Sequence, residues 1–192
     1  MLVIWNEPLF CIIPSFYKLV EVSAFYSFTT KLLTQIHCFI KVKKLVSVQN
    51  LPISLELAWD FFSSPKNLNE ITPEDMTFKI TSDIPEKMYE GMFVTYKISP
   101  FLGIQLDWCT EITHIKDRAF FVDEQRKGPY NIWHHEHHFE AIEGGVKMTD
   151  ILHYDIGKGP LGPIAGALFV DAKVKGIFDY RYTKLIELFG SF

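Results

Sequence analysis

Six stretches with strand character follow one another after Pro73. In each of them apolar and polar residues tend to alternate, the period expected of a half-buried β-strand. They cover residues 76–82, 92–99, 105–115, 119–126, 131–142 and 146–156. Short segments rich in glycine, proline and charged residues separate them, as turns require. We therefore predict a meander of antiparallel strands.

Other elements precede and follow this meander. Residues 42–48 predict a first strand, and Ser54 is placed to cap a helix that ends before Pro65. Residues 66–71 predict a second short helix. Residues 164–189 lack proline and predict a long C-terminal helix. One face of that helix is predicted to carry Leu168, Ala172, Ile177, Tyr182, Leu185 and Phe189.

These elements define an α+β fold. We expect a seven-stranded antiparallel sheet wrapped around the long C-terminal helix, with two short helices after the first strand. Because one helix cannot fill a whole curved sheet, the arrangement predicts a pocket between helix and sheet. Aromatic residues make up 15% of the chain, including 17 Phe, which suits either a large core or a lined hollow.

Residues 1–41 do not share this patterning. They carry few charges, namely Glu7, Lys18, Glu21, Lys31 and Lys41. We expect residues 42–192 to form the domain and residues 1–41 to be an appendage outside its fold, as a start codon placed too far upstream would produce. The alternative is an anchor for a membrane or a partner. Charges interrupt every apolar run before the ~18 residues that a membrane span needs, and Pro14 splits any signal-peptide core.

Charge and cysteine content narrow the class of partner and the compartment. With 19 basic and 23 acidic residues the net charge is -4, so no basic field exists to attract nucleic acid or acidic lipid. We expect no nucleic-acid partner and no membrane partner. Cys11, Cys38 and Cys109 are odd in number and form no CxxC pair, which favours a reduced, cytoplasmic chain.

The stretch from Gly128 to Phe139 carries the strongest indication of a functional site. Period-two alternation divides it into two faces. The inner, more apolar face carries Trp133, His135, His137 and Phe139. The outer face carries His134, Glu136, His138 and Glu140. The two faces therefore differ sharply in the chemistry that they present.

The next turn predicts the register of this strand against its successor. If Glu143 and Gly144 form a two-residue hairpin loop, Ile142 lies opposite Gly145. The inner face then carries the pairs Phe139 with Met148, His137 with Asp150, His135 with Leu152 and Trp133 with Tyr154. The outer face receives the opposite-charge pair Glu140 with Lys147. A register shifted by one residue would satisfy neither face.

This register places the Asp150 carboxylate beside the His137 ring. One interpretation is a polar cluster in a cavity, in which Asp150 orients His137 and favours its protonated form. The other is a structural His–Asp hydrogen bond inside a core. In the preceding hairpin Phe121, Asp123 and Gln125 share the inner face if that register sum is even.

Metal binding and nucleophilic catalysis find less support. His135, His137 and Asp150 could form a two-histidine, one-carboxylate set, but no further inward carboxylate or thiolate is placed to complete a shell. We expect no metal and no cofactor. The sequence contains no GxSxG or HExxH motif, and the glycine-rich residues 157–162 lack the order of a phosphate-binding loop.

Beyond these patterns, the sequence from residue 42 to 189 resembles the START-like superfamily of ligand-binding domains, also called SRPBCC. The residues that carry the resemblance are Leu57-Ala58-Trp59-Asp60-Phe61-Phe62-Ser63-Ser64-Pro65 with Leu68, residues 121–125, Gly128-Pro129-Tyr130, the Trp133-x-His135-x-His137-x-Phe139 motif, and Phe178-x-Tyr180-Arg181. They are most similar to the bacterial subgroup of ligand-binding SRPBCC domains. The resemblance implies a helix-grip fold with an apolar cavity between the sheet and the long helix.

Two functional hypotheses follow. The first is a binding or carrier domain for a small hydrophobic or amphipathic molecule. The second is an enzyme similar to polyketide cyclases and dehydratases, in which His137 and Asp150 perform acid/base steps. The residues expected in the ligand site are Trp133, His135, His137, Asp150, Asp123, Phe121, Tyr154 and Arg181. In contrast, Trp59, Phe61 and Phe62 are expected in the core.

Overall fold

The sheet contains seven antiparallel strands in the order β1-β7-β6-β5-β4-β3-β2. A computed structural model describes residues 42–101, 104–155 and 165–192. The strands are β1 Lys43–Leu51, β2 Lys79–Ile80, β3 Met92–Phe101, β4 Ile104–Lys116, β5 Phe120–Lys127, β6 Ile132–Ile142 and β7 Gly145–Asp155. The predicted meander is confirmed, and the first strand closes the sheet order by pairing with the last. The predictions for residues 1–41 and 157–162 lie outside the described residues.

Two α-helices frame the sheet, α1 Leu55–Phe62 and α2 Ala165–Phe189. The predicted cap of α1 is confirmed, since the backbone N–H of Leu57 donates to the Ser54 Oγ at 3.2 Å. The predicted second helix is a short 3-10 helix, Pro65–Asn69. Its first position is a proline, which starts a helical turn without needing a hydrogen bond to its own nitrogen.

The strand predicted over 76–82 is mostly wrong. Met76 belongs to a second 3-10 helix, Glu74–Met76, and only the two-residue β2 pairs with β3. Thr77, between these elements, has a φ of 45° and lies in the left-handed region. That conformation turns the chain out of an extended path, so the apolar residues here pack as a loop rather than as a strand.

The register of β6 against β7 is the predicted one along its whole length. Ile142 lies opposite Gly145, and His137 lies opposite Asp150. Glu140 and Lys147 form an ion pair on the outer face. Gly144 has a φ of 81°, which suits glycine in a tight hairpin loop.

The register of β5 against β6 also has the predicted parity. Phe121 lies opposite His137 and Asp123 lies opposite His135. Three adjacent strands, β5, β6 and β7, therefore place ionisable side chains at the same level of the sheet and on the same face. Bulges in the pairing of β4 with β5, near Cys109 and near Ile112, help to bend the sheet around this region.

Helix α2 packs on the inner face of the sheet through a stripe of buried side chains at helical spacing. These are Val170, Val174, Phe178, Arg181 and Leu185. The predicted face was partly wrong, because Ala172 and Tyr182 are exposed and the side chain of Leu168 is not among those described. A charged residue, Arg181, occupies a buried position that an apolar-periodicity argument skips.

Polar contacts fix α2 against the edge of the sheet. The Asp171 carboxylate accepts from the Tyr154 hydroxyl at 2.8 Å and pairs with the Lys43 Nζ at 2.6 Å. The Gln49 side chain donates to the backbone carbonyl of Tyr182 at 3.0 Å. No helix among the described residues is long and apolar enough to cross a membrane.

Two glycine substitutions test the fold. A Cβ at Gly145 would collide with the backbone carbonyl of Leu51 on the neighbouring strand β1, whereas one at Gly176, inside α2, meets nothing within 4 Å. We expect Gly145→Ala to lower the free energy of unfolding by about 1–3 kcal/mol. Gly176→Ala should raise it by about 0.5–1 kcal/mol, because alanine is the better helix former.

Urea unfolding of the two variants beside the wild type measures both effects. Equal free energies of unfolding for Gly145→Ala and the wild type would contradict the close packing of β1 on β7.

Candidate functional site

A cavity of about 150 Å³ lies between the sheet and the helices. Aromatic side chains of the strands and of the β5–β6 loop form one wall, namely Tyr96, Trp108, Phe121, Trp133 and, from the loop, Tyr130. Side chains of α1 and the following loop form another, namely Phe61, Phe62, Leu68 and Ile71. Ile177, Phe178 and Arg181 of α2 close the third side. The cavity is therefore mainly apolar, with a few ionisable groups in its wall.

Two polar atoms of the aromatic wall, on Tyr96 and Trp108, are paired within the protein. The Trp108 Nε1–H donates to the Thr110 Oγ1 at 3.0 Å, and the Tyr96 hydroxyl lies 3.1 Å from the same oxygen. The Trp108 ring in turn packs edge-on against Trp133 at 5.3 Å between centroids. Because Thr110 satisfies both groups, these rings present carbon surface to the cavity.

Four ionisable side chains from β5, β6 and β7 meet at the other part of the wall, and we call them the His–Asp cluster: Asp123, His135, His137 and Asp150. The His137 Nε2–H donates to the Asp123 Oδ2 at 3.0 Å. On the other side of the same ring, Nδ1 lies 2.7 Å from the Asp150 Oδ1. One imidazole therefore lies between two carboxylates.

His135 is the second ring of the cluster. Its Nε2 lies 3.2 Å from the Asp150 Oδ1, and its Nδ1 lies 3.7 Å from the Asp123 Oδ2. The two imidazole rings lie 3.9 Å apart between centroids. Both contacts with Asp150 are short but lack hydrogen-bond alignment.

The cluster perturbs the pKa values of all four groups. Burial works to lower the pKa of His137, but the hydrogen bond to Asp123 and the proximity of Asp150 outweigh it, so the pKa is raised. Burial and the neighbouring His137 charge lower the pKa of His135.

The two carboxylates shift the other way. Burial works to raise the pKa values of Asp123 and Asp150, but contacts with the two histidines outweigh it and lower both. The cluster thus favours two ionised carboxylates, a protonated His137 and a neutral His135.

Most of the predicted site residues meet in this one place. The cavity is lined by Phe121, Asp123, Trp133, His135, His137 and Arg181. Asp150 lies behind the two histidines and does not line the cavity. Tyr154 does not line it either, because its hydroxyl is engaged with Asp171 at the edge of the sheet. Gln125 turns to the β5–β6 loop, where its amide donates to the Tyr130 carbonyl at 2.6 Å.

Other lining residues were not predicted to line the cavity. Phe61 and Phe62 pack against the core as expected but also line the cavity, and Trp59 is buried against Phe139 as expected. Trp108 and Thr110 were not singled out. The only sequence signal for them was their spacing of two residues on β4, which places both side chains on the inner face. The bulges in that strand obscure this alternation.

The cluster also contains atoms at metal-binding distances. One ligand atom from each of Asp123, His135 and His137 lies within 4.8 Å of the others. Asp150 contacts the ring nitrogens that face away from Asp123, as outer carboxylates of metal sites do. A metal would therefore use Asp123, not Asp150, as its carboxylate ligand. Alternatively, the same groups bind no metal, and His137 carries a proton between the two carboxylates. Elemental analysis of the purified protein distinguishes the two cases.

Solved structures of distant sequence share this fold. Protein CV1439 from Chromobacterium violaceum matches with a TM-score of 0.60 and 10% identity over 78% of this chain and 98% of that chain. Protein Ms6760 from Mycobacterium smegmatis matches with a TM-score of 0.56 and 17% identity, over 77% and 95%. A protein from Arthrobacter aurescens matches with a TM-score of 0.57 and 13% identity, over 77% and 92%. No protein-family model and no curated protein matches the sequence.

These likenesses, with the observed sheet and long helix, confirm the predicted helix-grip fold. At such low identity they establish the fold and carry no ligand or activity with it. The START-like superfamily and its bacterial ligand-binding subgroup stay predictions.

Asp150→Asn tests the electrostatics of the His–Asp cluster. We expect it to lower the pKa of His137, because a nearby carboxylate favours the charged ring. His134 and His138 lie on the outer face beside Glu124 and Glu136, so their titrations should not change. Imidazole NMR titration measures all three histidines in one experiment.

A double-mutant cycle provides the control for this test. His137→Gln and Asp150→Asn should show a coupling of roughly 0.5–3 kcal/mol in the free energy of unfolding, as contacting groups do. Additive effects with an unshifted His137 would mean that water separates the two groups.

Proposed function

We propose that the protein is a binding or carrier domain for a small, mainly apolar molecule held between the sheet and α2. The observation that carries the proposal is the cavity of about 150 Å³ with mainly apolar, aromatic walls, in which the polar atoms of Tyr96 and Trp108 are paired within the protein. Contact between such a wall and the apolar surface of a ligand is more favourable than hydration of the wall by water.

The size of the cavity limits the ligand. An apolar cavity of roughly 150 Å³ accepts a molecule about as large as benzene. A larger ligand would have to displace side chains. We expect Phe61, Phe62 and Leu68 to move, because they lie on α1 and the 3-10 helix after it and not on the sheet. We therefore propose a ligand built on one small ring system or a short branched chain.

The enzyme hypothesis rests on the His–Asp cluster. A buried histidine of raised pKa in a cavity wall is typical of acid/base sites as well as of structural ones. However, both ring nitrogens of His137 face carboxylates, and Asp150 lies behind the histidines. This geometry favours a role in which the cluster shapes the cavity over one in which His137 exchanges a proton with a ligand.

One experiment separates the two functions. Native mass spectrometry of the purified protein identifies any ligand retained from the cell. Incubation of that ligand with fresh protein then shows whether it is recovered unchanged, as a carrier requires, or converted, as an enzyme requires.

Trp133→Ala and Glu136→Ala form a matched pair, since the two residues lie on the same strand and on opposite faces. Indole, a neutral aromatic compound, serves as the probe. It should bind the Trp133→Ala variant about two- to tenfold more weakly than the wild type, because an aromatic contact contributes roughly 0.5–1.5 kcal/mol. Glu136→Ala should leave the affinity unchanged. Calorimetric titration measures the three dissociation constants.

The stability of the same variants checks that the effect is local. Because Trp133 lines a cavity and is not fully buried, its truncation should cost less than the ~3–5 kcal/mol typical of a packed aromatic residue. Equal losses of indole affinity in both variants would contradict the assignment of the inner face.

A further inference from the structure

Arg181 is a buried cation that the apolar cavity does not explain. It extends from the middle of α2, is 9% exposed and lines the cavity. Its Nε and Nη1 atoms are buried and have no hydrogen-bond partner among the described residues. A guanidinium keeps its charge in a protein, so it cannot escape this position by losing a proton.

The neighbours of Arg181 leave its donors free. The guanidinium carbon lies 5.4 Å from the centroid of the Phe178 ring, a contact that favours the cation but accepts no N–H. The carboxylates of the His–Asp cluster are the nearest candidates for a counter-charge. Within the described part of the chain, neither Asp123 nor Asp150 lies within ion-pair distance of Arg181, because each is engaged with the histidines.

We propose that Arg181 binds an acidic group of the ligand, and that the cavity therefore takes a small aromatic carboxylic acid in its ionised form. This inference rests on the proposed function, since it assumes that the cavity is the ligand site. Buried charges in proteins are almost always paired, and a carboxylate is the partner that a guanidinium prefers. The ring of the ligand would occupy the aromatic part of the cavity, with its carboxylate toward α2.

The charge of the wall permits this arrangement. Arg181 adds a positive charge to a wall in which His137 contacts both Asp123 and Asp150. His137 lies between the two carboxylates and partly neutralises each of them. An anion placed beside Arg181 therefore meets a local cation.

Phenylacetate and 2-phenylacetamide test the proposal, because they share a ring and a shape and differ in charge. We expect the wild type to bind phenylacetate at least tenfold more tightly than the amide at pH 7, as measured by calorimetry. Arg181→Gln should abolish that preference while retaining the amide. Lys175→Gln is the matched control, since it removes the same charge from an exposed position on the same helix.

Each outcome has a distinct meaning. If neither compound binds the wild type, the proposed function itself is wrong. If both bind the wild type equally, the cavity is a ligand site but Arg181 does not select an acid, and water satisfies its donors. If the preference persists in Arg181→Gln or disappears in Lys175→Gln, it arises elsewhere.

Equal binding of the two compounds by the wild type contradicts the proposal even if Arg181→Gln does not fold. Arg181→Lys provides a further variant that keeps the positive charge. It should retain a preference for phenylacetate, reduced from that of the wild type, because lysine replaces the charge but not the planar set of donors. Circular dichroism verifies the fold of every variant.

Discussion

The mutual compensation of charge around His137 is the constraint on which the site depends. Two carboxylates without this ring would be strongly disfavoured beneath the helix, and the ring without them would lose its proton. The contact requires β5 and β7 to be aligned with β6 to the residue. A slip of one position in either hairpin would turn Asp123 or Asp150 to the outer face and leave the other charges buried and unpaired. The cluster therefore specifies the register of three strands as well as the chemistry of the wall.

The cluster also explains why the interior is divided. Buried apolar residues form one group around Trp108, Leu152 and Val174 and another around Phe139 and Leu185. His135, His137 and Asp150 lie on the inner face of β6 and β7 between these groups. An apolar helix face packed over such a cluster would bury its charges without supplying polar groups to interact with them. Helix α2 instead presents Arg181 there, and the space left beside the guanidinium and the rings belongs to the cavity.

How far sequence predicts this site depends on the range of the interactions involved. The Glu143-Gly144 turn is local and predicts the pairing of His137 with Asp150, because a two-residue loop determines the register of its strands. The parity that brings Asp123 inward follows in the same way. Phe61 and Phe62 could not be placed by such an argument, since their contact with the cavity depends on how α1 packs across the sheet. Arg181 stood out by resemblance alone, because periodicity arguments assign charged residues to the solvent.

The arrangement of donors and acceptors suggests how binding and selectivity are divided in such a cavity. The rings of Trp108, Trp133 and Phe178 offer carbon surface that any small apolar molecule can cover, so they contribute affinity with little discrimination. The ionisable groups of the His–Asp cluster are engaged with one another. Among the described polar groups of the cavity wall, Arg181 combines charge, burial and unpartnered donors. A ligand that lacks an acceptor leaves those donors unsatisfied, and this penalty against the wrong molecule is a stronger source of selectivity than further apolar contact with the right one.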